Sequence, residues 1–171
     1  MNRSEYNKCV ELYADGIFRF ALSNLCQREK AEDVVQETFA RMWERVENVA
    51  WKSAKSYLFA TAYHLMIDEI RYAKRLEAYD ETHAVAMEKK GNAVCNEGYP
   101  DVQEILHKAL NALPEIQRSL ILLRDYEGYS YQEIGTMTGL SESQVKVYIF
   151  RGRTALKKQL KSIDNLIDAA P

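Results

Sequence analysis

The sequence predicts an all-α chain of two small helical domains, an N-terminal helical bundle and a C-terminal four-helix domain with a helix-turn-helix, joined by a flexible linker. Three observations predict it. Apolar residues recur at helical spacing in two blocks, residues 4–75 and 101–160, and the stretch between them loses that period. Only seven Gly and three Pro occur in 171 residues, too few for the many turns of a β protein. The segment from Asp125, DYEGYSYQEIGTMTGLSESQVKVYIFRGR, reads as a short helix, a Gly-containing turn and a second helix rich in bases.

In the first block, Tyr6, Cys9, Val10, Tyr13, Ala14, Ile17, Phe18, Ala21 and Leu25 hold one face for five turns. After a polar break at Gln27-Arg28, Ala31, Val34, Val35, Thr38, Phe39, Met42, Trp43 and Val46 make a second stripe. Glu32, Asp33, Gln36, Glu37 and Glu44 fall off that stripe. A loop over 47–52 leads to a third helix, which begins near Ser53 and carries Leu58, Ala62, Leu65, Met66 and Ile70 to about Arg75. Helices of this length persist only when packed together, so residues 1–75 are expected to form one bundle.

Residues 76–100 are acidic and include Gly91, Asn92, Asn96, Gly98 and Pro100, which marks them as a flexible linker with a fraying helix at 81–89. Asp101, three residues before Glu104, opens the second domain, 101–171, as a capping box. Val102, Ile105, Leu106, Ala109, Leu110 and Leu113 form its first stripe. Pro114 starts the next helix, where its missing N–H costs nothing, and Gly128 ends it. Ser130 precedes Glu133 by three residues and Ser141 precedes Gln144 by three, so each helix of the helix-turn-helix has its own start signal. Gly139, between them, suits the left-handed end of the first.

Charge is unevenly placed. The net charge of the chain is −2. Residues 142–161 carry six bases against Glu142, 52–75 carry five bases against Asp68 and Glu69, and 76–104 carry seven acids against Lys89 and Lys90. Two basic stretches either side of an acidic one suggest two contacts with a polyanion. The acidity of the intervening stretch would keep it from competing for nucleic acid.

In the last helix Val145, Tyr148, Ile149, Gly152, Ala155, Leu156 and Leu160 share the core face. The opposite face shows Gln144, Lys146, Val147, Phe150, Arg151 and Thr154. Two apolar residues beside two bases suit the major groove, where Lys and Arg donate to guanine and apolar groups touch the thymine methyl. Arg153 and Lys157 are better placed for phosphates.

Other classes find little support. Cys9, Cys26 and Cys95 are odd in number and form no CxxC pair, so neither a disulfide framework nor a zinc site is expected. His64 and Asp68 are four apart on one helix face, as metal ligands can be, but no second such pair accompanies them. His83 and His107 fall in the linker and on a polar face. No metal, cofactor, catalytic residue or small-molecule substrate is expected. The N-terminal MNRSEYNK is polar and no apolar run reaches membrane length, so the expected protein is cytoplasmic, with no membrane insertion.

Residues 31–43, AEDVVQETFARMW, resemble the core-binding segment of sigma-70-type RNA polymerase sigma factors. Residues 57–75, YLFATAYHLMIDEIRYAKR, resemble the segment that binds and opens the promoter −10 element. Residues 110–157, with LNALPEIQRSLILL, EGYSYQEIG and the final helix, resemble the −35-reading domain. The order and spacing are similar to those of the short extracytoplasmic-function (ECF) group. The resemblance implies a transcription initiation factor that binds core RNA polymerase and promoter DNA, is held in check by an anti-sigma factor, and leaves the chemistry to the polymerase.

By the same resemblance, Asp33, Gln36 and Glu37 contact the polymerase. Lys146, Val147, Phe150 and Arg151 match the positions that meet −35 bases; the face reading adds Gln144 beside them and Arg153 toward the phosphates as −35 contacts. The loop 47–56 and the start of the helix after it match the region that captures an unstacked −10 base, and Lys52, Lys55, Tyr63, His64, Arg71, Lys74 and Arg75 are the candidate contacts there. Single-stranded DNA is held by stacking on aromatics over a basic groove. Trp51, Tyr57, Phe59, Tyr63 and Tyr72 are the rings available, Tyr57 and Phe59 being equally good core residues. The chain departs from the family pattern at four places. His64 stands where Asn is usual, Tyr148 where Arg is frequent, Val147 where a small polar residue is frequent, and Gly152, before Arg153, where Ala is usual. The competing reading is an autonomous helix-turn-helix regulator whose N-terminal bundle senses a ligand or dimerises.

Overall fold

The computed structural model describes residues 1–83 and 101–168, with side chains described for 1–80 and 105–162. The described residues are helical apart from caps and short turns, and contain no strand. The chain divides into two compact units, with the division between Val94 and Cys95.

In the N-terminal unit, α1 (Arg3–Leu25) begins at a capping box. The Asn2 side chain accepts from the Glu5 amide at 2.9 Å, and the Glu5 carboxylate accepts from the Asn2 amide at 2.8 Å. The helix ends at Cys26, whose left-handed φ of 53° reverses the chain directly into α2 (Arg28–Glu44). A 3₁₀ turn at Trp51–Ser53 leads into α3 (Ala54–His83). All three helices pack on one another. Ile17, Met42, Leu58, Phe59 and Met66 are fully buried at the centre, and the Phe20 and Phe59 rings meet at 5.6 Å. Burial of such side chains contributes about 1.5–3 kcal/mol each, and this holds three helices that would not persist alone.

The sequence reading needs correction in four places here. Phe20 and Asn24 are buried near the middle of the α1 face, whereas Phe18 and Leu25 lie at its margin. Trp43 is 47% exposed because it sits at the edge of the α2 stripe, where its ring packs on Tyr6 at a centroid distance of 4.8 Å. Because α3 is covered by both α1 and α2, it buries two stripes, Leu58/Ala62/Met66 and Phe59/Tyr63/Ile67. Finally, α3 does not stop near Arg75. No Gly or Pro interrupts 54–83, and Leu76, Glu77 and Ala78 are good helix formers, so residues 76–83 continue the helix rather than starting a linker. The remainder of the expected linker, 84–100, lies outside the described residues, as do Cys95 and the Asp101–Glu104 side chains of the expected capping box.

In the C-terminal unit, α4 (Asp101–Asn111) starts at Asp101 itself. Leu106 is exposed, whereas Ala109, and Leu113 just past the helix, are buried. Pro114 is the residue before α5 (Glu115–Ile121), which continues through a π-helical turn over Leu122–Tyr126. Ser130 caps α6 (Tyr131–Thr138), and α7 (Glu142–Asp168) follows after a three-residue turn. Leu120, Leu123, Ile134, Val145 and Ile149 form the buried centre. Gly152 is buried against Ile121, which lets α7 lie close on α5.

Candidate polymerase and nucleic-acid interfaces

The helix-turn-helix is set by two capping boxes and two glycines. The Ser130 hydroxyl accepts from the Glu133 amide at 3.1 Å, while the Glu133 carboxylate accepts from the Ser130 amide at 2.7 Å. These bonds favour the carboxylate and hold Glu133 below the usual carboxylate range. Ser141 and Gln144 repeat the device at the start of α7, at 3.1 and 2.9 Å. Gly139 turns the chain with φ of 75°. Gly135 lies so close to the turn that a Cβ there would stand 2.8 Å from the Leu140 carbonyl oxygen. Only a residue without a side chain allows α6 to meet α7 at this distance.

This geometry presents one face of α7. Gln144, Lys146, Val147, Phe150 and Arg151 are all exposed on it, and Val145 and Ile149 are buried on the other. The Lys146 ammonium lies 2.9 Å from Glu142 and 5.7 Å from the centre of the Tyr131 ring. Hydrogen bonding to Glu142 pushes its pKa up, so it stays charged. Arg153 is also exposed, but its guanidinium donates to Asp125 through Nε at 3.0 Å and through a terminal nitrogen. That pairing raises its pKa further. Arg153, expected at the DNA, is exposed and at the same time fastens α7 to Asp125 at the end of the π-helical turn.

Two further groups beside this face had no periodic signal. Arg124 stacks on the Tyr131 ring at 4.6 Å and donates to the Tyr129 carbonyl at 2.8 Å. It links the end of α5 to the start of α6 across a loop, a contact that no local pattern encodes.

In the N-terminal unit, Asp33, Gln36 and Glu37 are all exposed along the outer face of α2. Glu37 is paired with Arg41 one turn on, at 2.7 Å. Between α2 and α3, Lys30 and Glu69 form a cross-link at 2.6 Å. The face therefore lies on a helix whose other side packs against α1 and α3.

The loop and α3 bring basic groups together in part. Lys52, His64, Arg71, Lys74 and Arg75 are exposed, and Lys55 is half-buried with its ammonium 5.7 Å from the Phe59 ring. Tyr63 is only 5% exposed, so its ring is core and offers no stacking face; it supports His64 instead, at a ring separation of 5.3 Å. Phe59 is buried as well, and the half-buried Tyr57 donates to the Arg41 carbonyl at 3.4 Å. Of the five aromatics, Trp51 and Tyr72 keep exposed rings. Among the described residues no three His, Cys, Asp or Glu side chains gather to hold a metal ion, and no described helix is long and apolar enough to cross a membrane.

Comparison with known proteins agrees with this arrangement. The family model for sigma-70 region 2 matches residues 9–76, and that for sigma-70 region 4 matches residues 103–156. The chain is 31% identical over 159 residues to the ECF RNA polymerase sigma factor SigE of Mycolicibacterium smegmatis, covering 91% of this chain and 61% of that protein's length. It is 28% identical to the ECF sigma factor SigM of Bacillus subtilis, covering 88% of this chain and 92% of that one. The structure is similar to that of the sigma factor RpoE from Bartonella quintana, solved with the anti-sigma factor NepR. The TM-score is 0.71 at 27% identity, over 91% of this chain and 96% of RpoE. CnrH, solved with the cytosolic domain of CnrY, shares the fold with a TM-score of 0.66. The chain belongs to the sigma-70 family of RNA polymerase sigma factors, in its extracytoplasmic-function group.

Proposed function

We propose that this protein joins core RNA polymerase in the cytoplasm and directs it to promoters, the N-terminal unit docking on the polymerase and meeting the −10 element, the C-terminal unit reading −35. It performs no chemistry of its own. The observation that carries this reading is the pairing of two surfaces on one chain. A capped helix-turn-helix presents an exposed basic and apolar face, and a separate helical bundle presents the polar outer face of α2.

Asp33, Gln36 and Glu37 serve as polymerase contacts. They project from a helix braced on α3, so docking costs little ordering entropy. Lys146, Val147, Phe150 and Arg151 enter the major groove, with Gln144 at the groove end of the helix. For the −10 element, Lys52, Lys55, Arg71, Lys74 and Arg75 supply charge, Trp51 and Tyr72 supply stacking faces, and His64 supplies a hydrogen-bonding edge. Because much of this contact is with phosphates, binding weakens steeply with salt. The relative RpoE is solved with an anti-sigma factor, which supports control of this chain by a partner of that kind.

A gel-shift titration with promoter duplex, in the presence and absence of core polymerase, tests the reading. Tight, specific binding that requires the polymerase is expected. Equally tight binding by the chain alone, on a palindromic site, would instead indicate an autonomous regulator.

A further inference from the structure

The far end of α3 carries an apolar stripe that the N-terminal bundle leaves in water. Tyr72, Leu76 and Tyr79 fall at i, i+4 and i+7 on one side of the helix, and are 52%, 47% and 62% exposed. Among the described residues, Ile67 is the last that α3 buries, so the stripe lies beyond the bundle core. Toward the bundle it stops at Glu69, which Lys30 of α2 holds at 2.6 Å.

As a heptad, Tyr72 and Tyr79 take d and Leu76 takes a, which puts Arg75 at g and Asp80 at e. Both charged side chains are exposed, and neither has a partner among the described residues. They flank the stripe on opposite sides, so they do not reach each other on one helix. Beside a second α3 running in the same direction, Arg75 of each copy meets Asp80 of the other, and two ion pairs form at once. An antiparallel arrangement sets g against g and e against e, and forms neither. We propose that this face is a self-association surface, on which a second copy of this chain pairs in parallel through Tyr72, Leu76 and Tyr79, with two Arg75–Asp80 pairs fixing the alignment. The charge favours a second copy over a nucleic acid along the whole stripe, because Glu77 and Asp80 repel a polyanion at its far end. The surface is small, so the pair is weak and reversible. Tyr72 and Arg75 are also given to the −10 strand under the proposed function. On that reading pairing withholds them from the promoter, and the paired chain is a resting form rather than a DNA-binding dimer.

Sedimentation velocity of the full chain, from low to several hundred micromolar, tests this. A reversible monomer–dimer equilibrium is expected, with Kd on the order of 100 µM. Arg75→Asp and Asp80→Arg should each weaken pairing about tenfold, since each turns two attractions into repulsions, and the two changes together should restore it. Leu76→Ser, at an exposed position outside the core, should abolish it. A chain that stays monomeric throughout, or a double reversal as weak as the single ones, overturns the inference. In a complex with core polymerase and promoter DNA, one copy of the chain per polymerase is expected. Two copies per complex, with the reversal cycle intact, would leave self-association standing and remove Tyr72 and Arg75 from the −10 contacts.

Discussion

The Arg153 guanidinium donates to the Asp125 carboxylate through two nitrogens, across 28 residues of sequence. This fork ties the recognition helix to the turn at the end of α5. Both side chains are 46% exposed, so solvent screens the pair. Asp125→Ala should therefore cost only about 0.5–1 kcal/mol in urea unfolding. Its larger effect should be on −35 binding, because α7 loses one anchor. A variant with unaltered −35 affinity would show that the fork does not position the helix.

The close approach at Gly135 makes a second prediction. An added Cβ would meet the Leu140 carbonyl at 2.8 Å, and that neighbour is backbone, which cannot swing aside as a side chain could. Gly135→Ala should destabilise the C-terminal unit by about 1–3 kcal/mol and weaken −35 binding, with polymerase binding retained. Thermal unfolding and a polymerase pull-down on the same preparation check both halves.

Glu133 gives the C-terminal unit a pH dependence of known sign. Its bonds to Ser130 lower its pKa in the folded state below the ordinary value of 4.5. The stabilisation is thus fully present above about 4.5 and is lost as pH falls through the folded value. Urea midpoints measured downward from pH 6 should fall in that window, and Glu133→Gln should flatten the decline. An unchanged slope in the variant would assign the loss to other carboxylates.

The polymerase contact is tested by Asp33→Ala combined with Gln36→Ala. Both positions are exposed, so the fold should survive, as circular dichroism would report, while capture of core polymerase weakens. Capture at the original strength by the folded double variant would move the contact elsewhere.

The sequence was most legible where structure is local. The capping boxes at Ser130–Glu133 and Ser141–Gln144 formed as spaced, because each needs only four residues and one hydroxyl. The outward face of α7 followed from its period, since one side had to bury Val145 and Ile149. Legibility failed where more than one neighbour shares a helix. Tyr63 looked available for DNA because a single stripe along α3 leaves it outside, yet α1 and α2 together bury two stripes. Trp43 failed in the opposite direction, as an apolar residue at the margin of a stripe. The Asp125–Arg153 fork and the Arg124–Tyr131 stack could not be read at all, because they depend on where the turns place α5 against α6 and α7. The extension of α3 to His83 is not legible in the pattern, because the apolar period fades beyond Arg75 and the breakers that mark the linker come only from Gly91 onward, although nothing in 76–83 breaks a helix.

The most direct measurement is transcription in vitro by core polymerase on genomic fragments, with start sites mapped, in the presence of the protein or of its Lys146→Ala, Arg151→Ala variant. The account predicts discrete starts that appear only with the protein, share a −35 element, and vanish with the variant although the variant still binds polymerase. Absence of any protein-dependent start, together with failure to associate with core polymerase at modest ionic strength, would contradict it.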